Sequence, residues 1–421
     1  MLILESTFPN NYRETEISKI LDYITTGKFC QVIAVPGGGK ATILRILAHN
    51  RNILKYHLME QEKTLRFEYI NLFELTSYDE LSITKFLLLS LSHETAKSDD
   101  PHAITKRLQE IANKFASQNQ TLVLLFDHFD EYQNQLPRSF FQLLRDMNSV
   151  AKYRFSTVFA TRRDLKELID PEILRQYYDF FVGNAVYIQL HDEQATSLIF
   201  SQTEEVFKKK LPSKDKQEIK AMTGGHAKLT KVIAELALRE NIIPDIPVLL
   251  TKSLVSATLF ELWFYLTAQE QHLFKMLVNK QESQVSKIPE NLINSSLILA
   301  DTNFTIPLFE EFIKTTIPAL EPEKITYDQS TKEIKKGESV ISDLLSPQEY
   351  RLMRFLVQNQ GEIITRDEII KSVWPDTQVA EGISDEAIDQ MVFRLRKKIE
   401  DEPSVPKHVI TIKGQGWRFS P

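Results

Sequence analysis

The feature that most restricts this chain is the cluster Gly37, Gly38, Gly39 and Lys40 in the segment AVPGGGKATIL, residues 34–44. Residues 31–35 give a short β-branched strand signal, and residues 43–48 begin a helical spacing. A strand that turns through glycines directly into a helix leaves the first helical N–H groups without intrahelical partners. Glycine lets the backbone curl so that these groups point inward, and the helix dipole adds positive potential there. A lysine at the end of the turn completes a seat for phosphate oxygens. The candidate binding residues are Pro36, Gly37, Gly38, Gly39, Lys40, Ala41 and Thr42, and the expected ligand is ATP or ADP.

The loop departs from the Walker A pattern at Ala34, where the pattern has glycine, and at Ala41, where it has Ser or Thr. That hydroxyl normally ligates the magnesium ion held on the phosphates, so Mg2+ is an open question here. Thr42 stands one residue on, turned by about 100° around the helix. A second buried strand, TLVLLF at 121–126, ends at Asp127, the Walker B position that would hold a metal directly or through water. His128, Phe129, Asp130 and Glu131 follow. The two acids read as a solvated turn, with a substitute catalytic role as the alternative. A third strand, 156–160, runs into Arg162 and Arg163. Arg162 is the candidate sensor of a γ-phosphate, and Arg163 reads as a surface charge.

With 421 residues the chain is too long for one core and suggests about three domains. Strands alternating with helical spacing at 81–91 and 104–115 predict a parallel sheet covered on both faces. From about 183 the pattern turns mostly helical, and Pro244 and Pro247 mark a boundary. A linker at 318–323 precedes the last unit. The single cysteine, Cys30, excludes an internal disulfide framework, fits a reducing cytoplasm and reads as a small buried hydrophobe. No window reaches the roughly 20 apolar residues needed to span a bilayer, so no membrane partner is expected. The histidines lack metal-ligand spacing, which predicts no zinc site. A net charge of −6 requires any nucleic-acid contact to come from a local basic surface.

Residues from about 8 to 319 resemble a STAND-type or closely related AAA+ ATPase. The N-terminal FPNNYRETEISKIL is similar to a segment whose backbone lies against the adenine in that family. Thr223, Gly224, Gly225 and His226 resemble its GGHP element in a helical lid, with Ala227 in place of the proline. The resemblance implies that His226 belongs to the nucleotide site. It also places His128 where the family's water-activating glutamate stands, making His128 a candidate base beside Asp127. Leu266 to Leu277 and TIPLFEEFI resemble a winged-helix segment that closes the ATPase unit.

The last hundred residues carry LLSPQEYRLMRFLVQNQGEIITRDEIIKSVWP, then DEAIDQMVFRLRKKIED, then VITIKGQGWRFSP. Ser346 followed by Pro347 is a helix start, and Thr365 with Glu368 is a capping box. A third helix from Asp385 sets Ile388, Met391, Val392 and Leu395 on one side, with Arg394, Arg396, Lys397 and Lys398 on the other. This segment, from about 325 to 419, resembles an OmpR-type effector domain. The resemblance implies a recognition helix in the major groove, with Glu386, Ala387, Asp389 and Gln390 toward the bases. Lys413 and Arg418 on the wing would touch backbone or minor groove, while Trp417 packs the hairpin on the core. Acidic Glu386 and Asp389 should repel phosphate, so binding to double-stranded DNA is expected to gain from a homo-oligomer.

The expected architecture is multidomain: an α/β P-loop NTPase domain at 1–183 with a helical lid at 184–250, followed by two winged-helix domains at 251–320 and 325–421. The expected function is a cytoplasmic, nucleotide-gated DNA-binding regulator responding to a protein partner or signal ligand. An active ATPase that loads on or remodels DNA and a non-hydrolysing interaction scaffold are the alternatives.

Overall fold

Thr121–Asp127 is buried at every position, so alternate side chains must enter different cores. Leu122, Leu124 and Phe126 join one core, and Val123 and Leu125 the other. A strand with two apolar faces needs helices on both, which is how this unit is built. The computed structural model describes residues 4–132, 135–279, 287–318, 324–337, 339–375, 384–400, 403 and 406–420. They divide into two compact units, Met1–Ile317 and Pro318–Pro421. The expected linker at 318–323 lies outside the described residues except for Pro318.

In the first unit, α1 (Glu14–Thr25), β1 (Cys30–Ile33), α2 (Lys40–His49), β2 (Leu65–Asn71), α3 (Glu80–Ser92) and α4 (Pro101–Ser117) lead to β3 (Thr121–Asp127). Then come α5 (Arg138–Val150), β4 (Phe155–Thr161) and β5 (Ala185–Tyr187). The sheet order is β2-β3-β4-β1-β5, and every pairing is parallel. The segments after β1, β3 and β4 therefore emerge at the same edge of three neighbouring strands. In parallel α/β sheets that carboxyl edge is where ligands bind. Cys30 is buried within β1.

After β5 the unit is helical: α6 (Glu193–Phe207), α7 (Ser213–Thr223), α8 (Ala227–Glu240), α9 (Ser253–Tyr265), α10 (Ala268–Val278), a short helix Glu290–Asn294, and α11 (Pro307–Thr316). One hydrophobic core runs through these elements, from Leu190 to Ile313, and crosses the expected boundary at 250. Among the described residues of 251–317 the β pairing is a single isolated bridge, Ile298 to Phe304, with no two-stranded wing.

The second unit opens with an antiparallel sheet of β6 (Ile325–Tyr327), β7 (Ile334–Lys336) and β8 (Ser339–Val340). It continues through α12 (Pro347–Gln358), β9 (Ile363–Ile364), α13 (Arg366–Val373), α14 (Asp385–Ile399), β10 (Val409–Ile412) and β11 (Gly416–Phe419). The hairpin β10–β11 pairs antiparallel with β9. Its core gathers Leu352, Leu356, Ile369, Ile388, Leu395 and Trp417. Capping boxes start α12 at Ser346 and α13 at Thr365. Among the described residues no helix is long and apolar enough to cross a membrane.

Candidate functional site

The glycine loop leaves the centre of the sheet. Ala34 N–H donates to Thr161 O at 3.2 Å, and Gly38 N–H closes a turn onto Val35 O at 2.9 Å. Gly37 and Gly39 have φ of +72° and +103°, the left-handed region that side chains disfavour. Gly39 starts α2 without a side-chain cap, and Ile43 N–H to Gly39 O at 3.3 Å is the first bond of the helix. The amides of Lys40, Ala41 and Thr42 precede that bond and have no acceptor within α2.

The loop is clasped from the helical segment. His226 is fully buried at the start of α8 and does two jobs. Its Nδ1 accepts Leu229 N–H at 3.2 Å, which leaves the ring proton on Nε2 to be donated to Pro36 O at 2.7 Å. Burial lowers its pKa to about 4, so the ring is neutral near pH 7. Lys228 N–H adds a bond to Gly37 O at 3.2 Å. A Cβ on Gly37 would stand 2.8 Å from His226 Cε1 and 2.9 Å from Lys228 Cβ, so glycine is also needed for this close approach.

At the end of β3 both oxygens of Asp127 are engaged. Tyr69 Oη donates to Oδ2 at 2.5 Å, and the N–H of His128 donates to Oδ1 at 2.9 Å. His128 has φ of +60°, and its ring lies against Phe73 with centroids 3.7 Å apart. The solvated reading of Asp130 is corrected, because its side chain is 2% exposed. Its Oδ2 accepts Arg162 Nε at 2.5 Å and the Arg162 N–H at 3.2 Å. Its Oδ1 lies 3.5 Å from Lys40 Nζ. Burial lowers the pKa of Lys40, Asp130 opposes that shift and Arg162 adds to it. Of Glu131 only the backbone is described.

Arg163 is also corrected: it is not a surface charge. The residue is 9% exposed, and its guanidinium pairs with Glu270 on α10. It also donates to Tyr265 O at 3.1 Å and stacks over the Tyr265 ring. Glu270 in turn accepts Asn291 Nδ2 at 2.8 Å and closes the capping box of α10 with Thr267. The residue after Arg162 thus ties the sheet edge to the helical segment. No local pattern signals this, because the partners lie 107 positions apart.

The loop suits a diphosphate: amides at a helix start with no acceptor inside the helix, a lysine, and glycines that admit close approach. The donors for a protein-held magnesium ion do not fit. Ala41 presents a methyl group where a hydroxyl is needed, and Asp127 already binds Tyr69 and His128 N–H.

In the second unit, α14 buries Ile388, Met391, Val392, Leu395 and Ile399. Gln390, Arg394 and Lys397 are exposed on the rest of the helix, as are Lys413 and Arg418 on the hairpin. Two residues expected to face phosphate are held by their own domain. Arg396 donates to Val409 O at 2.9 and 2.6 Å and to Thr411 Oγ1 at 2.8 Å. Lys398 pairs with Glu349 at 2.6 Å. Asp389 is paired too, with Arg366 Nη2 3.2 Å from each of its oxygens. Phe393, which charge patterning passed over, is half-exposed on α14 under the Lys397 ammonium.

Helix, helix, helix and returning hairpin is the winged-helix arrangement, and the comparison with known families agrees. Residues 343–419 match the family described as "Transcriptional regulatory protein, C terminal". The OmpR-type winged helix is therefore a regulator-type DNA-binding domain. The transcriptional regulatory protein KdpE of Mycobacterium tuberculosis is 32% identical over 102 residues, covering 24% of this chain and 43% of KdpE. The virulence transcriptional regulatory protein PhoP of Salmonella typhimurium is 36% identical over 93 residues, covering 22% of this chain and 38% of PhoP. The chain spans less than half the length of these curated relatives. Among solved structures, the Walker-type ATPase paby2304 of Pyrococcus abyssi aligns with 72% of this chain and 95% of its own, at 13% identity and a TM-score of 0.46. The regulator domain is joined to a unit with an all-parallel five-stranded sheet and a glycine loop that opens α2.

Proposed function

We propose that this chain is a nucleotide-gated, DNA-binding transcriptional regulator. The observation that carries the gating is the clasp of His226 and Lys228 on Pro36 and Gly37, which makes one element of the phosphate loop and the helical segment. A ligand that reshapes the loop must then act on the start of α8. In this reading α6 to α8 serve as a lid, and the helices from α9 to α11 act as a reduced winged helix. ATP or ADP supplies phosphate oxygens. The amides of Lys40, Ala41 and Thr42 receive them, Lys40 balances their charge, and Gly37 to Gly39 admit them without steric cost. A divalent ion, where present, rides on the phosphates and water. His128 is the group nearest to a base role, and Arg162 is the sensor position.

The output is the winged helix. Gln390 on α14 faces base edges, while Arg394, Lys397, Lys413 and Arg418 meet phosphate. Homo-oligomers would pool several weak sites, and a partner or signal ligand would bias the equilibrium by binding one arrangement better. The test is binding of fluorescent ATP and ADP, with and without magnesium, to wild type and Lys40→Ala, with DNA affinity measured on the same samples. Nucleotide binding lost in Lys40→Ala, with a nucleotide-dependent change in DNA affinity in wild type, is the expected result. DNA affinity that ignores bound nucleotide sinks the gating. Absence of nucleotide binding leaves an interaction scaffold.

A further inference from the structure

The Asp130 carboxylate is buried, yet among the described residues only one of its oxygens finds a hydrogen-bond donor. Oδ2 serves Arg162, whereas Oδ1 makes no hydrogen bond and faces Lys40 Nζ at 3.5 Å. Leaving a buried acceptor unmade is costly, so this atom is held in place by charge rather than by a fitted donor. Lys40 and Arg162 are the two cations at this edge of the sheet that a terminal phosphate would use. The Asp130 carboxylate lies between them, 3.5 Å from Lys40 Nζ and 2.5 Å from Arg162 Nε.

We infer that Asp130 is the specificity-determining residue of the loop: its carboxylate stands in for a γ-phosphate between Lys40 and Arg162, so the site prefers a nucleoside diphosphate, and a triphosphate enters only by displacing Asp130. The inference rests on the nucleotide reading above and deepens it. The α- and β-phosphates need the loop amides, which Asp130 does not touch. The γ-phosphate would need the two cations, and it would meet a like charge at contact distance. Ala41 sharpens the effect, because no hydroxyl fixes a magnesium ion to offset the extra phosphate charge.

The experiment measures ADP and ATP affinity by competition with a fluorescent ADP, with EDTA and with magnesium. It uses the full chain as wild type, Asp130→Asn and Asp130→Glu, each checked for a cooperative thermal transition. Wild type is expected to bind ADP more tightly than ATP. Asp130→Asn keeps the shape and removes the charge, so ATP affinity should rise about tenfold while ADP affinity stays nearly constant. Asp130→Glu keeps the charge and should keep the preference for ADP. Wild type that prefers ATP overturns the inference without need of any variant. So does an Asp130→Asn protein with an unchanged ATP-to-ADP ratio, although nucleotide binding itself would then stand. If neither wild type nor Asp130→Asn binds either nucleotide, the nucleotide reading fails and the inference fails with it.

Discussion

His226 shows how much one side chain can decide. It caps α8 through Nδ1 and fastens the phosphate loop through Nε2, and the cap at Nδ1 requires the neutral ring, because a protonated Nδ1 cannot accept. In the folded state its pKa is depressed from 6.5 to about 4 by burial. Between those values the unfolded chain binds a proton that the folded chain refuses, so stability falls as pH drops from 6.5 toward 4. The contribution is full above pH 6.5 and amounts to roughly 3 kcal/mol at most. Urea unfolding followed from pH 7.5 to 4.5 should show this loss in wild type and a flatter profile in His226→Gln. Equal slopes for the two proteins would remove His226 as the acid-sensitive group. At the same scale, Arg163 and Glu270 belong together: losing Arg163 would leave the buried Glu270 carboxylate without its cation, while Arg163 also has Glu167 at 3.5 Å.

Two helix starts recruit their capping glutamate for a second purpose. Glu270 closes the box on α10 and holds Arg163. Glu349 closes the box on α12 and holds Lys398 from the end of α14. A local device thereby fixes the angle between distant elements. Arg396 does the same for the wing, through Val409 O and Thr411 Oγ1. Arg396→Ala should therefore destabilise the second unit by about 1–3 kcal/mol, through loss of charge-assisted bonds. Arg394→Ala, on an exposed side chain, should leave the melting profile unchanged and weaken DNA binding. Thermal melts paired with fluorescence anisotropy on DNA separate the two. If Arg396→Ala behaves like Arg394→Ala, the wing does not depend on that side chain.

For the whole molecule, a net charge of −6 means that DNA affinity must come from a small patch. In the proposed reading its exposed cations are Arg394, Lys397, Lys413 and Arg418, and the pairing of Asp389 with Arg366 moderates the acidic start of α14. Neutralising Lys397 or Arg418 should lower the slope of log affinity against log salt by about 1 for each residue. Lys398→Gln should leave the slope nearly unchanged, because that ammonium is committed to Glu349. A titration series over several salt concentrations measures the slopes directly. A drop for Lys398→Gln as large as for Lys397→Gln would mean that the ion pair opens on DNA.

Local chemistry made several parts of this protein legible in advance. The glycine loop, the buried strands ending at Asp127 and before Arg162, and the two capping boxes of the winged helix all depend on residues near one another in sequence. Spacing and capping energetics act over a few residues, so a pattern can be read there. β2 escaped the reading because its exposed and half-buried positions blur the strand signal, and β5 because it is only three residues long. Tertiary structure alone decided which charges are free. Asp130 and Arg163 looked like surface residues until distant Lys40 and Glu270 were brought beside them, and Arg396 and Lys398, expected at DNA, also have partners in their own domain at Val409 and Glu349. Burial and pairing depend on elements that meet only after folding, and one sequence carries no local record of those meetings.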